Sequence, residues 1–576
     1  MSEAQAGAAR TALELAAEHL RRAEFAAAEA VLRDAIARKP ANPQLHYALA
    51  RALIAQHRLP EGIEAARAAI RLKPGYAEAL AALGEALHAQ GDAAEAEKAF
   101  RAALRLQPNF QQARQGLAVL LNDTGRPRDA ESLLRQSVAA ARTPRDAAAA
   151  SHNLGVSLRL QRRYAEAVAA FDSATRSAPD LALPYYTRGC ALQHLGRIKE
   201  AIASFRAAIA RDPIHLDAHH DLNQLLYRLG RDDEFLVSYD EALGRAPNAG
   251  VLALAKAKLL FQRGDYENAR ESYERATALL PESAAAHGGL ALATARSGQP
   301  ELAIKEHELA LTLAPNDSNS ACTFAETLLR IRDPRKAREI AERAVSLAPD
   351  NQYALAMWGL AARAIDDARE QELNDYEGLV QVFEIDPPAG YDSIISFNRD
   401  LDRALDGLHR DQREFLGQSL RGGTQTLDNL FGAGHPLFEA LRGRIDEAIA
   451  AYMARMKEDA EHPLRRRRTG AFQYAGSWSA RLSDCGFHAN HVHPKGWISS
   501  AYYVAVPDAV ADKTSKQGWI KFGEPDFDAG FADPVRRAIQ PRPGTLVLFP
   551  SYMWHGTIPF HSAQSRTTIA FDAVPR

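Results

Sequence analysis

The chain has 576 residues, too many for one ordinary hydrophobic core, so several domains or a repeat array are expected. Apolar residues make up 46% and charged residues 25%, with a formal net charge of -2, which excludes a dominant basic face for nucleic acid or anionic lipid. Cys190, Cys322 and Cys485 lie far apart and form no C-x-x-C pair, which excludes a disulfide framework and points to a reducing compartment. The opening "MSEAQAGAARTALELAAEHL" lacks a basic segment followed by an apolar run, so no signal peptide is expected. No stretch approaches the roughly eighteen apolar residues of a membrane span. A cytoplasmic protein is the expectation.

From the N-terminus, prolines recur at Pro40, Pro74, Pro108, Pro144, Pro179, Pro213, Pro247, Pro281, Pro315 and Pro349. The spacing is 34 except for intervals of 36 and 35 around Pro144. Glycines such as Gly91, Gly125, Gly196 and Gly264 fall midway. Each unit therefore reads as helix, glycine turn, helix and a proline stop. Gly84, Ala96, Phe100, Ala103 and Pro108 set a small, small, aromatic, small, proline pattern. Gly155, Ala167, Phe171, Ala174 and Pro179 repeat it, as do Gly189, Ala201, Phe205, Ala208 and Pro213. This pattern resembles the tetratricopeptide repeat, and residues 1–365 are expected to form an all-α solenoid of about ten helix pairs. Such an array offers a concave surface to a protein or peptide. The sixth positions of successive units, Asn153, Thr187, Asp221, Ala255 and Gly289, form no asparagine ladder, so a dimerisation or architectural surface is the rival reading.

The period stops after Pro349. Residues 366–385 read as a capping helix and connector, and 386–576 as a second domain. Helical patterns fall near 393–417 and 434–457, with the polar segment "SLRGGTQT" (Ser419 to Thr426) between them read as a loop. The run Arg465 to Arg468 reads as a solvated charge cluster. From residue 470 the pattern becomes β: "AFQYAGSWSARL", "WISSAYYVAV", "GWIKF", "GTLVLF" and "RTTIAFD" are short runs separated by Gly, Pro and Asp. They suggest a small sandwich or barrel of jelly-roll type.

Within "HANHVHPKGW", His491 and His493 stand two apart. On an extended segment both point to one face. His555 follows the strand "TLVLFPSYMW". Three histidines so spaced suit a transition metal. His488, odd-spaced from His491, is expected outside the site. Arg566 opens the last strand. An arginine inside a small barrel needs an anion, and a dicarboxylate reaching from the metal to Arg566 would supply one.

Together, H-x-H-P, "ISSAYYVAVP", "GWIKF", "PGTLVLFPSYMWH" and "RTTIAF" resemble the double-stranded β-helix of 2-oxoglutarate/Fe(II)-dependent oxygenases, over roughly residues 380–576. The resemblance implies Fe(II), 2-oxoglutarate and O2. It assigns metal ligation to His491 and His555, and the cosubstrate carboxylate to Arg566. Tyr503 and Thr568 are carried over as its assistants. The chain departs from the common H-x-Asp/Glu pattern, because His493 stands at the carboxylate position. Three readings stay open: His493 is a third ligand, the favoured one; it lies behind the ligands; or Glu524 or Asp526 completes the site. The implied activity is a dioxygenase that hydroxylates a protein or peptide recruited by the repeats. The alternatives are a repeat scaffold with a non-turning-over barrel, and a three-histidine cupin-like enzyme without 2-oxoglutarate.

Overall fold

The computed structural model describes residues 3–409, 413–426 and 429–576. It divides into two compact units, Met1–Ala218 and His219–Arg576.

The first unit is all helical. Its pairs include Pro43–Ala55 with Leu59–Leu72, Ala77–Gln90 with Ala93–Leu106, and Pro144–Leu160 with Tyr164–Ser177. The small positions have a direct packing cause. Phe100 fills the space between Gly84 and Gly116, where an added Cβ would come within 2.9 and 2.6 Å of its ring. Phe171 fills the same space against Gly155, at 2.5 Å. Gly91 turns the chain between helices with φ of 95°. Where the sequence lacks glycine, His57 and Arg162 adopt left-handed turns themselves. Pro144 departs from the expected role. The preceding helix ends at Ala139, and Pro144 opens the next one, capped by the Thr143 side chain. A proline at the first helical position loses no hydrogen bond, and the helix it opens has 17 residues where Ala77–Gln90 has 14, which takes up the extra length of the two intervals.

The second unit begins with further helix pairs, among them Gly250–Arg263 with Tyr266–Leu279 and Ser318–Arg330 with Pro334–Leu347, closed by Gln352–Ala364. Residues 366–385 hold two short helices and a strand, β1 (Gln381–Glu384), so the sheet begins inside the expected connector. The other strands are β2 (Leu420–Gln425), β3 (Phe472–His488), β4 (Ile498–Ala505), β5 (Ile520–Phe522), β6 (Arg537–Ile539), β7 (Thr545–Pro550), β8 (His555–Thr557) and β9 (Arg566–Pro575). They form a six-stranded sheet, β1-β7-β4-β9-β3-β2, and a three-stranded one, β6-β5-β8. All pairings are antiparallel. An all-helical repeat region followed by a sheet-rich domain is the fold class. Two antiparallel sheets are consistent with the jelly-roll expectation.

Ile520 and Phe522 of β5 share a core with Leu546 to Phe549 of β7, which joins the two sheets. Phe438, Leu441, Ile445, Ile449 and Tyr452 of helix Pro436–Arg455 belong to the same core. The segment expected as a loop, "SLRGGTQT", is instead β2. Its glycines hide the strand pattern because a bulge between Arg421 and Gly423 needs them: Gly422 has φ of 67°, and a Cβ there would meet Gly486 at 3.1 Å. The helix expected near 393–417 ends at Asp406.

In the arginine run, Arg466 and Arg468 are exposed, as a solvated cluster requires, and they also pair, Arg466 with Asp350 at 2.7 Å and Arg468 with Glu458 at 3.3 Å. Similar contacts join repeats and sheets across this unit: Arg332 with Asp528 at 2.7 Å, and Arg363 donating to the Gly523 carbonyl at 3.0 Å. Phe527 and Trp554 share a core with Phe324, Leu328 and Met357 of the repeats.

Candidate metal centre

His491 and His493 follow the end of β3, and His555 opens β8. The His491 and His555 backbones bridge reciprocally, N to O at 2.9 and 3.0 Å. That bridge brings their rings to a centroid separation of 4.2 Å. The His493 ring lies 5.0 Å from that of His491 and 5.1 Å from that of His555.

Each Nδ1 is already engaged. His491 Nδ1 donates to the Ala489 carbonyl at 2.8 Å, and His555 Nδ1 to the Met553 carbonyl at 2.9 Å. His493 Nδ1 donates to Asp572 Oδ1 at 2.7 Å. This tautomer leaves each Nε2 with a lone pair. The Nε2 atoms of His491 and His493 stand 3.0 Å apart, and one candidate ligand atom from each histidine falls within 4.8 Å of the others. Facing lone pairs need a proton or a cation between them. Burial, then the charge of neighbouring histidines, holds His491 down to about 3 and His555 well below the usual imidazole range. Protonation of those two is therefore disfavoured, and a divalent cation suits three neutral imidazoles.

The histidines line a cavity of 650 Å³, together with Arg566, Thr568, Ala570 and Asp572. These four alternate along β9, as a strand requires of residues on one face. Arg566 is 2% exposed, and no carboxylate among the described residues pairs with it. Its Nε has no partner, and burial lowers its pKa. Its guanidinium carbon lies 5.0 Å from the centre of the Tyr503 ring, and the buried Tyr503 side chain partly opposes the fall that burial causes in the Arg566 pKa. Thr568 sits opposite Tyr503 in the β4–β9 register. A buried guanidinium with no counter-charge is costly, so this end of the cavity fits a carboxylate ligand.

His488 stands beside the trio, with its ring 6.1 Å from that of His491. Ser419 Oγ lies 3.2 Å from both His488 Nδ1 and His491 Nε2. Glu524 and Asp526 do not join the trio: Glu524 contacts Lys521 and accepts from Asn490, and Asp526 pairs with Arg296. The carboxylate nearest the histidines is Asp572, which sequence reasoning passed over. Its only signal was its even spacing from Arg566. Trp478, stacked on His493 at 5.8 Å, was also missed. So were Phe261, Gln262, Tyr266 and Arg296, which bring the repeats into the cavity wall. Their contribution depends on tertiary docking, for which the sequence carries no local pattern.

Residues 476–572 match the family described as "Putative 2OG-Fe(II) oxygenase". Two tetratricopeptide-repeat families match residues 13–77, 47–110, 186–250 and 254–318, and residues 87–154. Among solved structures, yeast Tom70 aligns at 17% identity over 64% of this chain and 97% of its own, with a TM-score of 0.30. The type IV pilus biogenesis factor PilW aligns at 21% identity over 37% and 98%, with a TM-score of 0.34. Likeness at these scores carries no argument. No curated protein matches the chain. The chain carries tetratricopeptide repeats in its N-terminal part and, at residues 476–572, a domain of the 2OG-Fe(II) oxygenase family.

Proposed function

We propose that the protein is an Fe(II)- and 2-oxoglutarate-dependent hydroxylase acting on a protein or peptide brought to it by its repeats. One observation carries the reading: three histidines whose candidate ligand atoms lie within 4.8 Å of one another, and a buried Arg566 with no carboxylate partner among the described residues, line a single cavity. His491, His493 and His555 would hold the iron through Nε2. Arg566 would bind the distal carboxylate of 2-oxoglutarate by a two-point contact, with Tyr503 and Thr568 beside it. Bound there, iron and 2-oxoglutarate would supply O2-dependent decarboxylation to succinate coupled to hydroxylation of a C–H bond. The chain's own work is to fix the three imidazole tautomers, orient the cosubstrate and shield the site from water.

The wall formed by Phe261, Gln262, Tyr266 and Arg296 supports a substrate handled jointly by repeats and oxygenase domain. Cys190, Cys322 and Cys485 form no disulfide with one another, which fits a reducing, cytoplasmic setting. Among the described residues, no helix is long and apolar enough to cross a membrane.

The test is anaerobic titration of the full chain with Fe(II), then 2-oxoglutarate, followed by O2 and a succinate assay. A visible charge-transfer band and succinate are expected. Metal binding without a band would favour a three-histidine enzyme or binding module that does not use 2-oxoglutarate, a reading that His493 itself motivates.

A further inference from the structure

We propose that Asp572 is the carboxylate of this metal centre, acting through the imidazole of His493 instead of on the metal. The proposal rests on the reading of the histidine trio as a metal site.

The three histidines are not held alike. His491 and His555 donate from Nδ1 to backbone carbonyls. His493 alone donates to a carboxylate, Asp572, at 2.7 Å. It is also the residue that stands where the common H-x-Asp/Glu pattern has its acid. The negative charge absent from that position is therefore present one imidazole further out. A carboxylate on a ligating histidine fixes the tautomer and makes the donor nitrogen more basic.

The surroundings hold Asp572 for this contact. Ser499 Oγ donates to the same Oδ1 at 2.6 Å and meets Ser551 Oγ at 2.8 Å. The Ser551 carbonyl in turn accepts from the His493 backbone N–H at 2.9 Å. Gly496 leaves room for the group: an added Cβ would come within 2.2 Å of Ser551 Oγ and 3.3 Å of the Asp572 carboxyl carbon. The Asp572 side chain is 14% exposed, and no lysine or arginine among the described residues pairs with it. A residue that merely tied β9 to the loop would do as well with an amide.

The experiment is a double-mutant cycle on full-length protein, read as anaerobic Fe(II) affinity by calorimetry. Asp572→Asn keeps an acceptor for His493 but removes the charge. It should weaken Fe(II) binding by about 10- to 100-fold. His493→Asp places a carboxylate directly in the trio, and in that background Asp572→Asn should change affinity by no more than about 3-fold. The Fe(III)/Fe(II) potential should rise in the Asp572→Asn single variant, because a nearby negative charge is lost. A purely structural contact would not move it. Ser499→Ala, which releases Asp572 without altering either partner, should weaken binding by less than Asp572→Asn.

Wild-type binding with unchanged affinity and potential in Asp572→Asn would overturn the proposal alone. Equal losses in both backgrounds would do the same. No Fe(II) binding by the wild type would overturn the metal reading and this proposal with it.

Discussion

Arg296, on repeat helix Ala284–Arg296, lies 2.6 Å from Asp526 of the oxygenase domain and 2.8 Å from Glu326 of the next repeat. Arg330 pairs with the same Glu326 at 3.0 Å, and the Tyr353 hydroxyl donates to it at 2.7 Å. Glu326 is fully buried. Its carboxyl is pushed up by burial and pulled down further by Arg296 and Arg330, so the net shift is downward. Removing one member of such a group strands a charge. Arg296→Ala should destabilise the second unit by about 3–5 kcal/mol, far beyond a surface ion pair. Denaturant unfolding followed by tryptophan fluorescence would measure it, and a change below about 1 kcal/mol would contradict the burial argument.

The repeat packing predicts a contrast between two glycines. Gly155→Ala drives a methyl to within 2.5 Å of the Phe171 ring, whereas Gly75 has nothing within 4 Å of its would-be Cβ. Overpacking at residue 155 should cost about 1–3 kcal/mol, and Gly75→Ala should stay within about 0.5 kcal/mol of wild type. Thermal melts of the two full-length variants, followed by circular dichroism, test the pair together.

The legible parts of the sequence were those where one local rule acts alone. A 34-residue period fixes the helix pairs because each repeat packs on its neighbours in the same way. Strands with β-branched runs, such as "ISSAYYVAV", announced themselves; β2 did not, because its bulge demands two glycines. The proximity of the three histidines was readable because i and i+2 of an extended segment lie on one side, even past the end of β3, and His555 follows an apolar strand. Asp572 was not, since a single aspartate inside "IAFDAV" looks like any outward-facing strand residue. Its role depends on a contact with His493, 79 residues earlier. The pairing of the arginine run was hidden for a similar reason: Asp350, the partner of Arg466, lies 116 residues earlier.

His307 predicts an acid sensitivity. It is buried on helix Ile304–Leu313, with Nε2 2.8 Å from Thr327 Oγ1 and Nδ1 without a partner. Burial pushes its pKa down to about 4, against the smaller opposing pull of Glu326. In the unfolded chain it returns to an ordinary value of about 6.5. Between those values the unfolded state binds the proton and the folded state does not. The stabilisation is therefore complete above about pH 6.5 and declines as pH falls towards 4, by up to about 3 kcal/mol. His307→Gln should flatten this decline relative to wild type. Stability curves from pH 7.5 to 4.5 for the two proteins would show it, and parallel curves would rule it out.

Arg566 carries the sharpest prediction about the cosubstrate. A guanidinium that is 2% exposed and has no carboxylate partner among the described residues gains its counter-charge when an anion enters the cavity. If that anion is 2-oxoglutarate, Arg566→Ala should weaken its binding by about 2–5 kcal/mol, the range for truncating one side of a buried charge pair. Fe(II) affinity should change little, because Arg566 makes no contact with the histidines' Nε2 atoms. Arg566→Lys should recover only part of the loss, since an ammonium cannot make the planar two-point contact. Anaerobic 2-oxoglutarate titration of the Fe(II)-loaded variants reads all three. Unchanged 2-oxoglutarate affinity in Arg566→Ala would remove Arg566 from the cosubstrate site and, with it, the physical reason for a buried arginine at the head of β9.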